Sequence, residues 1–381
     1  MTQAAIIGGK LQGTEAVYLA KKAGIRSILI DCDQEPPAKG LADEFLCCDV
    51  LQETKELLDA LKKADFILPA MENQDVLNTL EKLSLEHHFK LAFDMNAYRI
   101  SSSKLLSDQL IHSNGISAPQ YFPDCKSPYI VKPSSFSGSA GVKRIQTKSE
   151  MEEFLISLQP GESWVAQEYL EGPSYSIEII GKPEYYRTYE VTEIHIDKTY
   201  DCCKVTAPCA ISEVQRKGFQ EMAVNLAGLV GLTGIMDLEV IDDEGVFKVL
   251  EIDARIPSQT PTVVYHVTGM NLLEEIRDLF CYGSFQTVFR KQKKYVSYEH
   301  LQMKNGTVSE HGEHIMGEAR PLMLRENFFG ACEVISDYIS DENPWRGTFI
   351  NWADTEEELA EKRAGMRRLL AESVKNAVKA L

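Results

Sequence analysis

Apolar segments of strand length alternate with helix-length segments through the first 98 residues of the chain. Four short apolar runs lie at residues 4–7, 27–30, 44–50 and 65–68. Strands separated by helices need crossover connections, which are right-handed and produce a parallel sheet. The sequence therefore predicts an N-terminal Rossmann-like α/β domain over residues 1–98. Ligands of such sheets bind at the carboxyl ends of the strands.

The pattern changes near residue 103, where strand-like segments begin to follow one another closely. They lie at residues 129–133, 142–146, 164–180, 186–196 and 234–253. This order is typical of an antiparallel sheet with added helices, and it predicts an α+β central domain over residues 99–290. Residues 291–354 have short apolar runs without a clear period. The tail predicts an amphipathic helix over 355–381, with Leu359, Met366, Leu369, Leu370, Val374 and Val378 near one face. We expect residues 291–381 to form a C-terminal α/β lobe.

Composition excludes several classes of protein. The chain has 381 residues and a formal net charge of -17, which argues against binding of a nucleic-acid backbone. It has no apolar run long enough for a membrane span and no N-terminal signal peptide, so we expect a cytoplasmic protein. The nine cysteines show no C-x-x-C spacing, which favours buried reduced thiols over a zinc site or a redox pair.

The strongest chemical signal is a pair of acidic strands joined by a turn. Asp237 and Glu239 share one face of the first strand, and Glu251, Asp253 and Arg255 share one face of the second. Carboxylates that face one space repel each other unless cations lie among them. Hard oxygen ligands of this kind suit Mg²⁺ bound jointly with substrate phosphates. The alternative is a solvated edge hairpin whose acids pair with lysines.

Two further segments favour a bound nucleotide. Lys132 ends a predicted strand and precedes a loop of small residues at 134–141, which offers a cation and free backbone N–H groups to phosphates. This loop does not fit the P-loop pattern. The second segment, Val165 to Gly172, contains Glu168, Tyr169 and Leu170, whose backbone could contact an adenine edge.

The N-terminal glycines at 8–13 follow the first predicted strand and leave three alternatives open. Lys10 breaks the dinucleotide-binding pattern, so an NAD enzyme is a poor interpretation. The turn could serve packing alone. Gln12 and Glu72 could instead hold the amino-acid end of a nucleophile. A third alternative is an adenosine-shaped pocket formed by Lys10, Leu11, Asp31, Asp49 and Val50.

The order of these features resembles the ATP-grasp superfamily. A closer resemblance, to the ligase family that joins 3-methylornithine to lysine in pyrrolysine biosynthesis, rests on GGKLQG (8–13), ADEF (42–45), AYRIS (97–101), HIDKTYDC (195–202) and EIDARIPSQTPTVVY (251–265). It spans most of residues 1–290 and is looser beyond them. The resemblance implies an ATP-grasp fold with a Rossmann-like, pre-ATP-grasp N-terminal domain.

The resemblance also implies roles for individual residues. ATP would be bound by Lys104, Lys132, Ser139, Ala140, Gly141, Glu168, Tyr169 and Leu170, with Glu178 a candidate for the ribose. Magnesium would be held by Asp237, Glu251 and Asp253. The candidates for amino-acid binding are Gln12, Glu72, Ser174, Ser176, Asp201, Glu239, Arg255, Ser258, Gln259 and Thr260. Ser174 and Ser176 could merely end a strand, and Glu239 could be a further metal ligand.

The implied reaction needs ATP, Mg²⁺ and two small amino acids. The carboxylate of (3R)-3-methyl-D-ornithine would form an acyl phosphate, which the ε-amine of L-lysine would attack. A fixed guanidinium at Arg255 would stabilise charge on the phosphoryl group and on the tetrahedral oxygen, which makes it the catalytic candidate. The alternatives are another ATP-grasp amino-acid or purine-pathway ligase, and a non-catalytic nucleotide-binding protein, against which the acidic hairpin argues. The sequence leaves homo-oligomerisation open.

Overall fold

The computed structural model describes residues 2–134, 141–159, 161–288, 294–340, 342 and 344–379, with side chains described up to residue 373. The strands are β1 Gln3–Ile7, β2 Arg26–Asp31, β3 Glu44–Cys47, β4 Phe66–Pro69, β5 Tyr129–Pro133, β6 Lys143–Ile145, β7 Trp164–Glu168, β8 Ser174–Lys182, β9 Tyr185–Thr188, β10 Thr192–Ile196, β11 Cys202–Ala207, β12 Gly234–Asp243, β13 Val246–Asp253, β14 Tyr295–Lys304, β15 Thr307–Glu310, β16 Met323–Glu326, β17 Glu333–Ser336 and β18 Trp345–Ala353.

The α-helices are α1 Leu11–Ala23, α2 Lys55–Lys63, α3 Gln74–His87, α4 Met95–Ser101, α5 Lys104–Ser113, α6 Lys148–Ser157, α7 Glu213–Val230, α8 Thr260–Thr268, α9 Leu272–Arg277, α10 His314–Gly317 and α11 Glu356–Lys379. Short 3₁₀ turns occur at Pro37–Gly40, Val50–Gln52 and Phe328–Gly330, and a π-helical turn at Asp278–Tyr282 follows α9 directly. None of the described helices combines the length and hydropathy that a bilayer crossing requires.

The N-terminal sheet is parallel throughout, with strand order β3-β2-β1-β4. Side chains of β1 alternate between its two faces, since Ala4 and Ile6 belong to one apolar cluster and Ala5 and Ile7 to another. Both faces are therefore covered, as parallel sheets require. The carboxyl ends of the strands lie at one edge of the sheet. The glycine-rich turn follows β1 at this edge, and Asp31 is the last residue of β2.

An eleven-stranded sheet forms the largest part of the framework. Its main strand order is β13-β12-β8-β10-β11-β14-β18-β17-β16, with β9 beside β8 and β15 beside β14. All its pairings are antiparallel. A separate three-stranded sheet, β6-β5-β7, carries Lys132 and the Glu168 connection. The predicted combination of a parallel α/β unit and an antiparallel α+β unit is confirmed.

The strands β14 to β18 are regular, although the sequence showed no clear period over 291–354. In β14 the buried positions include Ser297, Glu299 and His300, so apolar and polar residues do not alternate. The carboxylate of Glu299 is 0% exposed and is bound by Arg363 and Arg367 of α11. A strand that buries charge against a helix carries no simple hydrophobic pattern, which explains the missed prediction.

The C-terminal helix α11 packs against the sheet largely as predicted. Leu359, Met366 and Leu370 are buried, but Leu369 is 46% exposed, so its assignment to the apolar face was wrong. Val374 and Val378 lie outside the residues with described side chains. The nine cysteines are free thiols, as expected, but Cys32 and Cys47 are exposed and not buried.

Candidate active site

The acidic hairpin forms as the sequence predicts, because β12 and β13 pair in antiparallel register. Asp237 lies opposite Asp253, and Glu239 lies opposite Glu251. Residues directly opposite in such a pair project their side chains to the same face. All four carboxylates line one cavity of about 140 Å³. The structure therefore brings the four acids together.

Burial and mutual repulsion dominate the electrostatics of this cavity. They raise the pKa of Glu239 and of Asp253 to about 7, and they hold the pKa of Asp237 well above its ordinary range. Burial also acts to raise the pKa of Glu251, but Lys104 and Lys132 outweigh it, so that pKa is lowered. The Nζ of Lys104 lies 2.7 Å from the Glu251 carboxylate. The cavity is short of positive charge.

The donor set fits a divalent cation that is shared with phosphate groups. The Oδ1 of Asp237 is buried and has no hydrogen-bond partner. The described residues contain no ready-made group of three or more metal-binding side chains. Mg²⁺ is usually held by one or two carboxylates together with water and substrate phosphates, and rarely by an all-protein cage. Asp237, Glu251 and Asp253 suit that mode of binding.

Arg255 joins the hairpin to the N-terminal domain. One of its terminal nitrogens lies 2.7 Å from the Asp253 carboxylate, and its Nε lies 2.9 Å from Oε1 of Glu72. The side-chain amide of Gln12 donates to the same Glu72 oxygen at 3.0 Å. Burial opposes the charged form of Arg255, but Asp253 and Glu72 outweigh it and raise the pKa of the guanidinium. The side chain is therefore a fixed cation at the cavity wall.

A second cavity, of about 550 Å³, adjoins the first and shares Glu239 and Glu251 with it. Its lining includes the predicted residues Lys104, Lys132, Glu168, Tyr169, Leu170 and Ser174. The Nζ of Lys132 donates to the Leu250 carbonyl at 3.2 Å, and the residue is only 9% exposed. Burial lowers the pKa of Lys132, against the effect of Glu251. Two lysines thus stand where the two cavities meet.

The carboxylate of Glu168 fixes the connection at the far side of the second cavity. It accepts hydrogen bonds from Nζ of Lys248 at 2.8 Å and from the backbone N–H of Gln120 at 3.0 Å. Tyr169 follows, and the guanidinium of Arg144 lies 3.9 Å from the centre of its ring. The backbone of this connection is therefore held in place next to the cavity.

Five of the described residues predicted for ATP or amino-acid binding do not line these cavities: Gln12, Glu72, Gly141, Ser176 and Glu178. Glu178 is 0% exposed, and burial raises its pKa to about 7. Ser176, on the same strand, is also fully buried. Neither is among the described residues that line the two cavities. Ser139 and Ala140 lie outside the described residues, whereas their neighbour Gly141 is described with a φ of 79°.

The N-terminal glycine turn is held by Asp31, at the end of the neighbouring strand β2. Asp31 accepts hydrogen bonds from the backbone of Gly9 at 2.6 Å and of Asp33 at 2.8 Å. A Cβ on Gly13 would lie 2.0 Å from the Gly8 carbonyl oxygen, so the turn requires glycine there. These contacts favour the packing interpretation of the turn itself.

The other residues of the proposed adenosine pocket also have local roles. Asp49 caps a 3₁₀ turn by accepting from Leu51 at 3.0 Å, and Val50 is 4% exposed in the core. Leu11 packs against the main apolar cluster, while Lys10 is exposed. Gln12, by contrast, reaches Arg255 at the acidic cavity through Glu72. The structure thus connects the nucleophile alternative, and not the adenosine pocket, to the acidic cavity.

Glu313 is a cavity residue that the sequence analysis missed. Its Oε2 accepts hydrogen bonds from Oγ of Ser258 at 2.6 Å and from the side-chain amide of Gln259 at 2.8 Å. Both donors line the 140 Å³ cavity, together with Thr260 and Asp201. Asp201 in turn binds Nδ1 of His314, 2.5 Å away. The polar run His311 to His314 was the available signal, but it lies in the region without a clear pattern.

Known proteins match the chain over most of its length. A profile of the ATP-grasp domain matches residues 101–259, and a profile described as PylC-like, N-terminal domain, matches residues 4–90. A 3-methyl-D-ornithine–L-lysine ligase of Methanosarcina acetivorans is 40% identical over 313 residues, covering 82% of this chain and 83% of the relative. Its counterpart in Methanosarcina mazei is 36% identical and covers 95% of this chain and 94% of the relative.

The chain belongs to the 3-methyl-D-ornithine–L-lysine ligase family. The resemblance inferred from the sequence is thereby confirmed, and this member of the family is an ATP-grasp ligase that forms a C–N bond.

Solved structures of more distant ATP-grasp proteins share the fold of this family member. The N5-carboxyaminoimidazole ribonucleotide synthetase of Thermotoga maritima superposes with a TM-score of 0.67 at 21% identity, covering 97% of this chain and 98% of the other. Biotin carboxylase of Campylobacter jejuni gives a TM-score of 0.70 at 14% identity, covering 98% of this chain and 95% of the other. At these identities the likeness shows the fold alone.

Proposed function

We propose that the protein joins the carboxylate of 3-methyl-D-ornithine to the ε-amine of L-lysine, with ATP and Mg²⁺, through an acyl phosphate. The observation that carries the proposal is the connection of the two cavities at Glu239 and Glu251. One cavity offers lysines to phosphates, and the other offers carboxylates and a fixed guanidinium. A phosphoryl group at the junction of the cavities would lie close to the lysines, the carboxylates and the guanidinium.

The proposed division of labour follows from these positions. Lys104 and Lys132 would bind the phosphates of ATP, and the backbone of residues 168–170 would hold the adenine. Asp237, Glu251 and Asp253 would hold Mg²⁺, which would neutralise charge on the phosphates. We keep the division into domains 1–98, 99–290 and 291–381 as part of the proposal.

Arg255 would act on the acyl substrate itself. Asp253 and Glu72 hold its guanidinium on two sides, so it needs no reorganisation when charge develops on the phosphoryl and acyl oxygens. Glu72 and Gln12 would orient the amino-acid end of lysine. The turn Ser258 to Thr260, with Asp201 and Glu313, would enclose the acyl donor. Glu239, between the two cavities, would be a metal ligand or an anchor for a substrate amine.

The decisive experiment measures ADP and phosphate release with amino acids offered singly and in pairs. D-Ornithine or 3-methyl-D-ornithine together with L-lysine should give stoichiometric ADP, phosphate and amide, while either amino acid alone gives little. Coupled turnover with D-alanine pairs or with purine intermediates, and none with the diamino acids, would overturn the substrate assignment. The assignment to the ATP-grasp ligases would still hold.

The path of oxygen tests the acyl phosphate. When the carboxylate attacks the γ-phosphorus and the amine later displaces phosphate, one carboxylate oxygen must leave with phosphate. Ornithine labelled with ¹⁸O in its carboxylate should therefore yield ¹⁸O-labelled phosphate and ADP. Label in AMP, with release of pyrophosphate, would mean adenylation and would contradict the mechanism.

A further inference from the structure

The helix α8 begins immediately after the turn Ser258 to Thr260, which lines the acidic cavity. Its N-cap residue, Gln259, has a φ of 71° and makes no side-chain cap. A positive φ is costly for a residue other than glycine unless its surroundings enforce it. The local sequence therefore does not by itself stabilise the conformation of this turn.

The backbone donors at the start of α8 can be accounted for one by one. The N–H of Thr260 bonds to the Ser258 carbonyl at 2.8 Å, Pro261 has no N–H, and the N–H of Val263 bonds to the Gln259 carbonyl at 3.2 Å. The N–H of Thr262 donates to Oε1 of Glu15, at 2.6 Å. A side chain from another domain thus supplies the cap that the helix lacks.

Glu15 lies on α1 and is only 2% exposed. Gln12, one turn earlier on α1, reaches Glu72, which is paired with Arg255. Residues three apart lie on the same face of a helix. One face of α1 is therefore linked to both ends of the segment Arg255 to Thr262, directly at Thr262 and through Glu72 at Arg255.

We infer that Glu15 is a positioning residue for amino-acid binding, holding the Ser258–Thr260 turn in its binding conformation by capping α8. The inference rests on the proposed function, in which this turn encloses the acyl donor. Glu15 does not line either cavity among the described residues, so it acts through the turn and not through contact with substrate. It also makes the geometry of the cavity depend on the docking of the N-terminal domain.

The test compares Glu15→Leu, which removes the acceptor at similar volume, with Glu15→Gln, which keeps an oxygen able to accept the Thr262 N–H. Glu333→Gln is the matched control. Glu333 is 4% exposed and also holds α1, through Tyr18 at 2.6 Å and through Lys22, but it does not contact the turn. All four proteins are assayed for the KM of D-ornithine, the KM of ATP and kcat.

Glu15→Leu should raise the KM for D-ornithine roughly fivefold to tenfold, the scale of a lost helix cap, and leave the KM for ATP unchanged. Glu15→Gln should lie close to the wild type, and Glu333→Gln should not change the ratio of the two KM values. Equal rises in both KM values for Glu15→Leu, or the same pattern in Glu333→Gln, would overturn the inference.

Hydrogen exchange separates failure of this inference from failure of the proposed function. Amides of residues 258–263 should exchange faster in Glu15→Leu than in the wild type or in Glu333→Gln, whatever substrate the enzyme uses. If the wild type forms no amide from the diamino acids, the proposed function fails. If exchange over 258–263 is the same in all the proteins, the capping role itself is wrong.

Discussion

Arg255 and Glu72 follow strands of different sheets, yet Nε of Arg255 lies 2.9 Å from Oε1 of Glu72. This ion pair closes the acidic cavity against the N-terminal domain. Because Arg255 also binds Asp253, its guanidinium is held between two carboxylates. Glu72 therefore orients the group to which we assign stabilisation of the developing charge.

Glu72→Gln should lower kcat roughly tenfold to a hundredfold, since small misplacement of a catalytic group has effects of that size. The KM for ATP should stay unchanged, because Glu72 does not line the cavity of about 550 Å³ to which we assign the nucleotide. Steady-state kinetics, with each substrate varied in turn, measures kcat and the KM for ATP. Glu86→Gln, an exposed change on α3, is the control. Wild-type kinetics in Glu72→Gln would show that Arg255 needs no such support.

Glu251→Gln and Asp253→Asn should each reduce turnover by roughly two orders of magnitude, the scale of removing one electrostatic stabiliser. Each variant keeps the shape of the side chain and removes the charge of an oxygen that we assign to Mg²⁺. The Mg²⁺ concentration for half-maximal activity should rise in both. Glu244→Gln, at the exposed turn of the same hairpin, should match the wild type. Unchanged activity and Mg²⁺ dependence in both variants would contradict the metal assignment.

Lys132→Met should weaken ATP binding by about 1.5–3 kcal/mol, the range for a hydrogen bond to a charged group. Amino-acid binding should change little, since Lys132 lines the cavity of about 550 Å³ and not the smaller one. Calorimetric titration with ATP measures the loss. The exposed Lys126→Met makes the same charge change and should bind ATP normally. Equal ATP affinity in the two variants would remove Lys132 from the phosphate site.

The free energy of unfolding should decrease as the pH is lowered, because His266 is packed between Tyr18 and Trp352. Its Nε2 lies 2.7 Å from the Tyr18 hydroxyl, and its ring stacks on Trp352 at 4.2 Å. Burial, followed by the charge of Lys22, lowers the pKa of His266 from 6.5 to about 3. The unfolded chain therefore binds a proton below pH 6.5 that the folded chain does not take until about pH 3.

This proton should cost about 1.4 kcal/mol of unfolding free energy per pH unit as the pH falls below 6.5. His266→Phe keeps the ring without the titration, so its stability relative to the wild type should rise by that slope. Urea unfolding at pH 7.5, 6.0 and 5.0 measures the difference. Leu85→Gln, an exposed change on α3 without a titrating group, is the control. A difference between His266→Phe and wild type that does not vary with pH would contradict the buried neutral histidine.

The sequence alone determined the elements that carry strong periodic or chemical patterns. The alternation in residues 1–98 predicted a parallel sheet. Period-two spacing put Asp237 and Glu239 on one face of the first strand of the hairpin, and Glu251 and Asp253 on one face of the second strand. These are local consequences of strand geometry, so they hold wherever the strands pair. The resemblance in residues 251–265 likewise identified the ligase family before any geometry was known.

Only the tertiary structure decided which distant residues complete the site. It brought Glu313 to Ser258 and Gln259, placed Glu15 at the start of α8, and withdrew Glu178 and Ser176 from the cavities. The physical reason is that each of these positions depends on how α1, the hairpin and the C-terminal strands pack together. Contacts between segments far apart in the chain leave no periodic pattern in either segment, so no local pattern could predict them.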